Sequence, residues 1–333
     1  MSPGRDGDIQ DDDDRTIRIV RRTARLTPRV VILILALAAV LATGGFALWI
    51  VAHSAMPDGS AILAAPRAPS GLDAPLADEA TILAAQATSL QVFRFRYAPA
   101  VLVLSFPSLG QQGDMLDRVA AFVEKAGLPR DRVLADADLD AAIRQAGDTR
   151  ETYYLGHDYR VADIARFFVT AERDGVVLDA EEVRLRALLK QAGMLAPGAV
   201  GALISIPPEV ASQQIDGSAR ATILHHELSH GQFFTDPAYA AYVRNFWQTT
   251  LNDAQRAGFR RFLGGEGYDT ADEDLILNET QAFLVHTNDS RYFLPGRAGL
   301  TGAEAARLRE AFVRGMPDGW LKSATRAAMP FPG

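Results

Sequence analysis

Residues 226–230 read His-Glu-Leu-Ser-His, a set of side chains whose types and spacing suit metal-dependent hydrolysis. In a helix, His226 and His230 fall on one face, one turn apart. Both imidazoles can then reach a single zinc ion at about 2.0–2.1 Å. Glu227 lies about 100° round the same helix. There it can take a proton from a metal-activated water and hand it to a leaving group. The chain holds only 6 His in 333 residues, so a chance occurrence of this pattern is rare. The lead-in Ala221-Thr222-Ile223-Leu224 is an apolar helical turn without Pro. His225 points away from His226 and reads as a packed residue.

Three protein ligands with one position left for water is the catalytic zinc arrangement. The downstream candidates for the third ligand are Asp236, Glu266, Asp269, Asp272, Glu273, Asp274, Glu279, His286 and Asp289. The extended HExxHxxGxxH pattern is absent, although Asp236 occupies the position of its last ligand. Glu279 is the preferred candidate. It sits in Asn278-Glu279-Thr280-Gln281-Ala282, inside a predicted helix 272–287. Leu275, Ile276, Ala282 and Phe283 mark that helix as packed. A carboxylate buried there needs a partner or a metal. His286 lies on the same face about 10 Å further along the axis, too far to share one ion with Glu279.

With its HExxH followed by a downstream NExxA, the chain resembles the gluzincin metallopeptidases, the thermolysin and aminopeptidase type. The resemblance implies a mostly helical zincin-like fold, with His226, His230 and Glu279 as zinc ligands and Glu227 as general base. It covers about 60 of the 333 residues. In thermolysin-like enzymes an Asp four residues after the ligand Glu supports the first His. Phe283 stands there in this chain, so that support must come from elsewhere. The resemblance also implies a Tyr or His that stabilises the oxyanion. Tyr268 and Tyr292 are nearest in sequence, with Tyr239, Tyr242 and His286 behind them. Tyr268 follows the loop Gly264-Gly265-Glu266-Gly267 and is placed to reach a cleft. By the same analogy, the run Val200–Ile206 is an edge strand to which a peptide adds.

Composition narrows the alternatives. There is no Cys, which excludes disulfides, thiolate-ligated zinc and thiol nucleophiles. Lys plus Arg is 34 against 41 Asp plus Glu, a net charge of -7 that does not suit a nucleic-acid partner. The bias of Arg over Lys, with abundant Ala, fits a GC-rich bacterial genome. Val30–Ala52 is an uncharged apolar run, roughly 34 Å long as a helix and sufficient to cross a bilayer. Arg15, Arg18, Arg21, Arg22, Arg25 and Arg29 precede it, and the next basic residue is Arg67. The positive-inside rule places the N-terminus in the cytoplasm and the bulk outside.

Those elements give an order along the chain. Residues 1–29 are a disordered cytoplasmic head, 30–52 a transmembrane helix, 53–80 a flexible linker, and 81–333 an extracytoplasmic domain. Strands are predicted within 91–106, divided at Pro99, and at 200–206. Helices are predicted at 114–126, 139–145, 161–173, 179–191, 219–234, from Asp236 towards Phe262, 272–287 and 303–313. The Tyr153–Tyr159 stretch reads as a packed aromatic turn. The expected class is α+β, mostly helical with a small sheet, behind one N-terminal transmembrane helix. The expected activity is that of a membrane-anchored zinc peptidase acting on peptide or protein in a bacterial periplasm. A non-catalytic zinc-containing envelope factor and a zinc hydrolase of a non-peptide bond are the rival readings.

Overall fold

A computed structural model describes residues 71–85 and 87–328. The predicted head and span, 1–52, and most of the linker lie outside those residues. Among the described residues, no helix is long and apolar enough to cross a membrane.

The centre is a five-stranded mixed sheet: β1 (Leu76–Ala77), β2 (Gln91–Phe95), β3 (Val101–Ser105), β4 (His157–Arg160) and β5 (Ala202–Ile206), in the order β1-β2-β3-β5-β4. β3 and β5 run parallel, while β4 pairs antiparallel with β5. Both strands of the central pair are buried throughout. That burial explains why they read as continuous apolar runs and not as alternating ones. Leu102, Leu104 and Leu203 face α2 (Leu109–Val123), α4 (Val161–Arg173) and α5 (Ala180–Gln191). Val101, Val103, Ile204 and Ile206 face the other way, onto α1 (Glu79–Ala84) and α6 (Gly217–Thr235). α3 (Asp136–Ala146) adds Leu139 and Ile143 to the first layer.

α6 carries the motif. Asp216 caps it, accepting from Ala219 N at 2.8 Å. Leu224 and Leu228, four apart, press onto the sheet. Gly231 lets the helix approach closely, since a Cβ there would meet the Val101 methyls at 3.0 and 3.1 Å. Beyond α6 a third apolar cluster joins α7 (Pro237–Thr249), α8 (Asp253–Gly265), α9 (Glu273–Gln281) and α10 (Gly302–Gly315). α11 (Trp320–Ala328) closes the described chain, and Trp320 Nε1 donates to Gln232 of α6.

Several expectations change. Within the expected strand 200–206, Ala202–Ile206 forms β5, which is internal; the edge beside α6 is β4, from a segment that reads as an aromatic turn. The pattern from Asp236 towards Phe262 is two helices. Asn252 starts the second with a capping box, accepting from Gln255 N at 2.9 Å while Gln255 Oε1 accepts from Asn252 N at 3.1 Å. The helix expected over 272–287 is α-helical only to Gln281 and then widens into a π-turn at Ala282–His286. The linker also ends early, because β1 and the start of α1 precede residue 81.

Candidate metal centre

His226, His230 and Glu279 meet at one point inside the protein. The two Nε2 atoms lie 3.1 Å apart. Glu279 Oε2 is 3.8 Å from His226 Nε2, and Oε1 is 3.7 Å from His230 Nε2. Ligands about 2.0–2.1 Å from a tetrahedral ion are separated by about 3.3 Å, so small adjustments would close this set on a cation. α6 supplies both imidazoles and α9 the carboxylate, held from behind by buried Ile276 and Leu277.

The partners of the remaining acids single out Glu279. Asp236 caps α7, Asp272 caps α9, and Asp269 accepts from Ala271 N. Glu266, Glu273, Asp274 and Asp289 pair with Arg297, Arg260, Arg244 and Arg291 respectively. Glu279 is 0% exposed, and neither of its oxygens has a hydrogen-bond partner. A buried carboxylate in that condition is stable only protonated or beside a cation.

Charge strengthens the case. Glu124, Asp158, Glu227 and Glu279 are all buried. Burial pushes the Glu279 carboxyl well up, as do Glu124 and Glu227. Burial also raises Glu227, with Asp158 and Glu124 adding to it. Asp158 rises for the same reason, with Glu279 and Glu124 as neighbours. Glu124 is pushed up to about 7 by burial, against the pull of Lys125. Lys125, stacked 4.0 Å over the Tyr154 ring, and Arg130 offset Glu124, and Arg160 offsets Asp158. On the imidazole side, burial holds His226 well below its usual range and His230 down to about 4, so both are neutral and free to ligate.

The His226 ring has a hydrogen-bonded partner behind it, whereas His230 Nδ1 has none. His226 Nδ1 is 2.8 Å from Thr287 Oγ1. His230 Nδ1 faces Asp158 Oδ2 at 3.6 Å. Asp158 comes from β4, where alternation turns His157 and Tyr159 towards the α2 layer and Asp158 towards α6. Two overlapping sets, Asp158–Glu227–His230 and Glu124–Asp158–Glu279, are also close enough to hold an ion. Of the three sets, His226–His230–Glu279 carries two imidazoles and one carboxylate, the mixture suited to zinc.

Tyr268 reaches this centre. Its phenol favours ionised Glu279, though at less than full hydrogen-bond geometry. A backbone bridge to Lys125 fixes it there. Tyr292 packs instead in a small cluster with Leu109, Ile215 and Ala219. His286 belongs to another polar chain, 3.3 Å from His225 Nε2 and 3.1 Å from the Tyr239 hydroxyl. Tyr239 donates to Gln281 at 2.6 Å and Tyr242 to the Phe312 carbonyl at 2.6 Å. Asp158, Glu124, Tyr154 and Thr287 were not singled out by sequence. The Tyr-rich segment around Asp158 marks packing there but carries no strand signal.

No family model, curated protein or solved structure matches the chain.

Proposed function

We propose that the chain is a zinc-dependent peptidase, tethered to a bacterial inner membrane by residues 30–52 with its catalytic domain outside the cytoplasm. The observation that carries this reading is the partnerless Glu279 carboxylate, 3.7–3.8 Å from both motif imidazoles. His226, His230 and Glu279 would hold the ion. When bound, zinc supplies Lewis acidity that polarises a scissile carbonyl and makes a water easier to deprotonate. Glu227, whose Oε2 is buried and unpaired, takes the proton of the attacking water and returns it to the leaving nitrogen. Tyr268 is the proposed donor to the oxyanion.

The preference for a peptide rests on β4. It ends the sheet, and its central residue Asp158 belongs to the acid cluster at the metal centre. An extended chain pairing with the outer edge of β4, which has no strand partner among the described residues, would run past the ligands. The zincin-like fold is part of the same proposal.

The test is hydrolysis of a mixed peptide library by the zinc-loaded protein, wild type against Glu227→Gln. The expected result is cleavage by wild type and a loss of roughly 10²–10⁴-fold in the variant at unchanged zinc content. Zinc binding without cleavage of any peptide would leave a non-catalytic factor or a hydrolase of another bond.

A further inference from the structure

The Glu227 carboxylate occupies space that any side chain at position 156 would fill. A Cβ on Gly156 would lie 2.0 Å from Glu227 Oε1, 2.7 Å from Cδ and 3.1 Å from Cγ. Gly156 is not among the glycines with positive φ. Its lack of a side chain therefore serves the neighbouring carboxylate and not a left-handed backbone.

The backbone at Gly156 is held in place. Gln112, 1% exposed on α2, donates from Nε2 to the Leu155 carbonyl at 2.9 Å. The same nitrogen lies 3.2 Å from His157 Nδ1 and 3.0 Å from Ser205 Oγ, so its two N–H groups serve two of three partners at a time. His157 Nδ1 is also 2.8 Å from Ser205 Oγ, and His157 opposite Ser205 is a register pair of the β4–β5 ladder. One buried amide thus grips the residues on both sides of Gly156. Of the two surfaces in contact, the far end of Glu227 is the one free to move.

We propose that Gly156 is a positioning residue for Glu227: its bare backbone, clamped by Gln112, forms the wall against which the carboxylate stands. A methyl there pushes the carboxylate off its place while β4 stays put. The role as a catalytic aid rests on the proposed function of Glu227, whereas the steric relation does not.

The experiment is Gly156→Ala, examined by crystal structure, zinc content and peptide-cleavage kinetics, alone and in a Glu227→Gln background. Displacement of the carboxylate by about 1 Å or more is expected, with β4 unmoved and zinc content equal to wild type. The accompanying kcat falls roughly hundredfold, as misplacement of a reacting group by about 1 Å can cause. KM stays near its wild-type value, and Gly156→Ala adds no further loss once Glu227 is Gln. An unmoved Glu227 with a shifted β4, or a full wild-type kcat, would overturn the proposal. If the wild type cleaves no peptide, the peptidase reading fails on its own, and the carboxylate position still decides the steric claim.

Discussion

Thr287 Oγ1 lies 2.8 Å from His226 Nδ1 and 3.0 Å from the Ala282 carbonyl. A hydroxyl has one hydrogen, and the carbonyl can only accept it. Oγ1 is therefore left to accept from the ring, placing the imidazole proton on Nδ1 and the lone pair on Nε2, towards Glu279. The π-turn at 282–286 makes this contact possible, because the Thr287 bond to Ala282 spans five residues. Thr287 thus fills the supporting role that Phe283 cannot. Phe283 packs its ring edge-on against His226, with centroids 4.7 Å apart.

Thr287→Val keeps the shape and removes the acceptor. Zinc affinity, measured by competition with a chromophoric chelator, should fall about 10–100-fold. An unchanged affinity would mean that the hydroxyl does not set the tautomer.

Ile276 is 0% exposed and lies one turn before Glu279 on α9. Ile276→Ala should destabilise the metal-free protein by about 2–5 kcal/mol in denaturant unfolding, through lost burial and the cavity left behind. A cost near zero would show α9 to be loosely seated, a poor support for a ligand.

His157 gives a pH signature. Burial, and then Lys125, hold its imidazole down from the usual 6.5 to about 3. Between those values the unfolded chain takes up a proton that the folded protein refuses, so this residue's contribution to stability is full above about 6.5 and declines as pH falls towards 3. His157→Gln removes the titration. Its deficit in Tm against wild type should therefore be larger at pH 7.5 than at pH 5, both measured without metal. A deficit independent of pH would contradict the buried neutral imidazole.

Much of the scaffold is legible from local signals. The apolar spacing of Ile164, Phe167, Phe168 and Ala171 marks α4, which spans the expected 161–173. Asp179 was visible as the start of α5, and it forms a capping box with Glu182. The break between α7 and α8 was also written in the sequence, as Asn252-x-x-Gln255, but the continuing apolar period hid it. β4 carried no comparable signal, because His-Asp-Tyr-Arg has no apolar alternation. It becomes a strand through its ladder with β5 and the buried bonds of His157, which are properties of the folded molecule. Asp158 was missed for that reason. Thr287 was missed because an α-helical reading of 272–287 does not anticipate the π-turn. The burial of Glu279 is legible because its apolar neighbours foretell it, and burial of a carboxylate demands a counterpart.

We propose that two residues of α6 and one of α9 grip a single cation. Metal analysis of the purified full chain, wild type beside His226→Ala, His230→Ala and Glu279→Gln, tests it most directly. About one zinc per wild-type chain is predicted, with a large loss in all three folded variants. Wild-type zinc content in Glu279→Gln would contradict it.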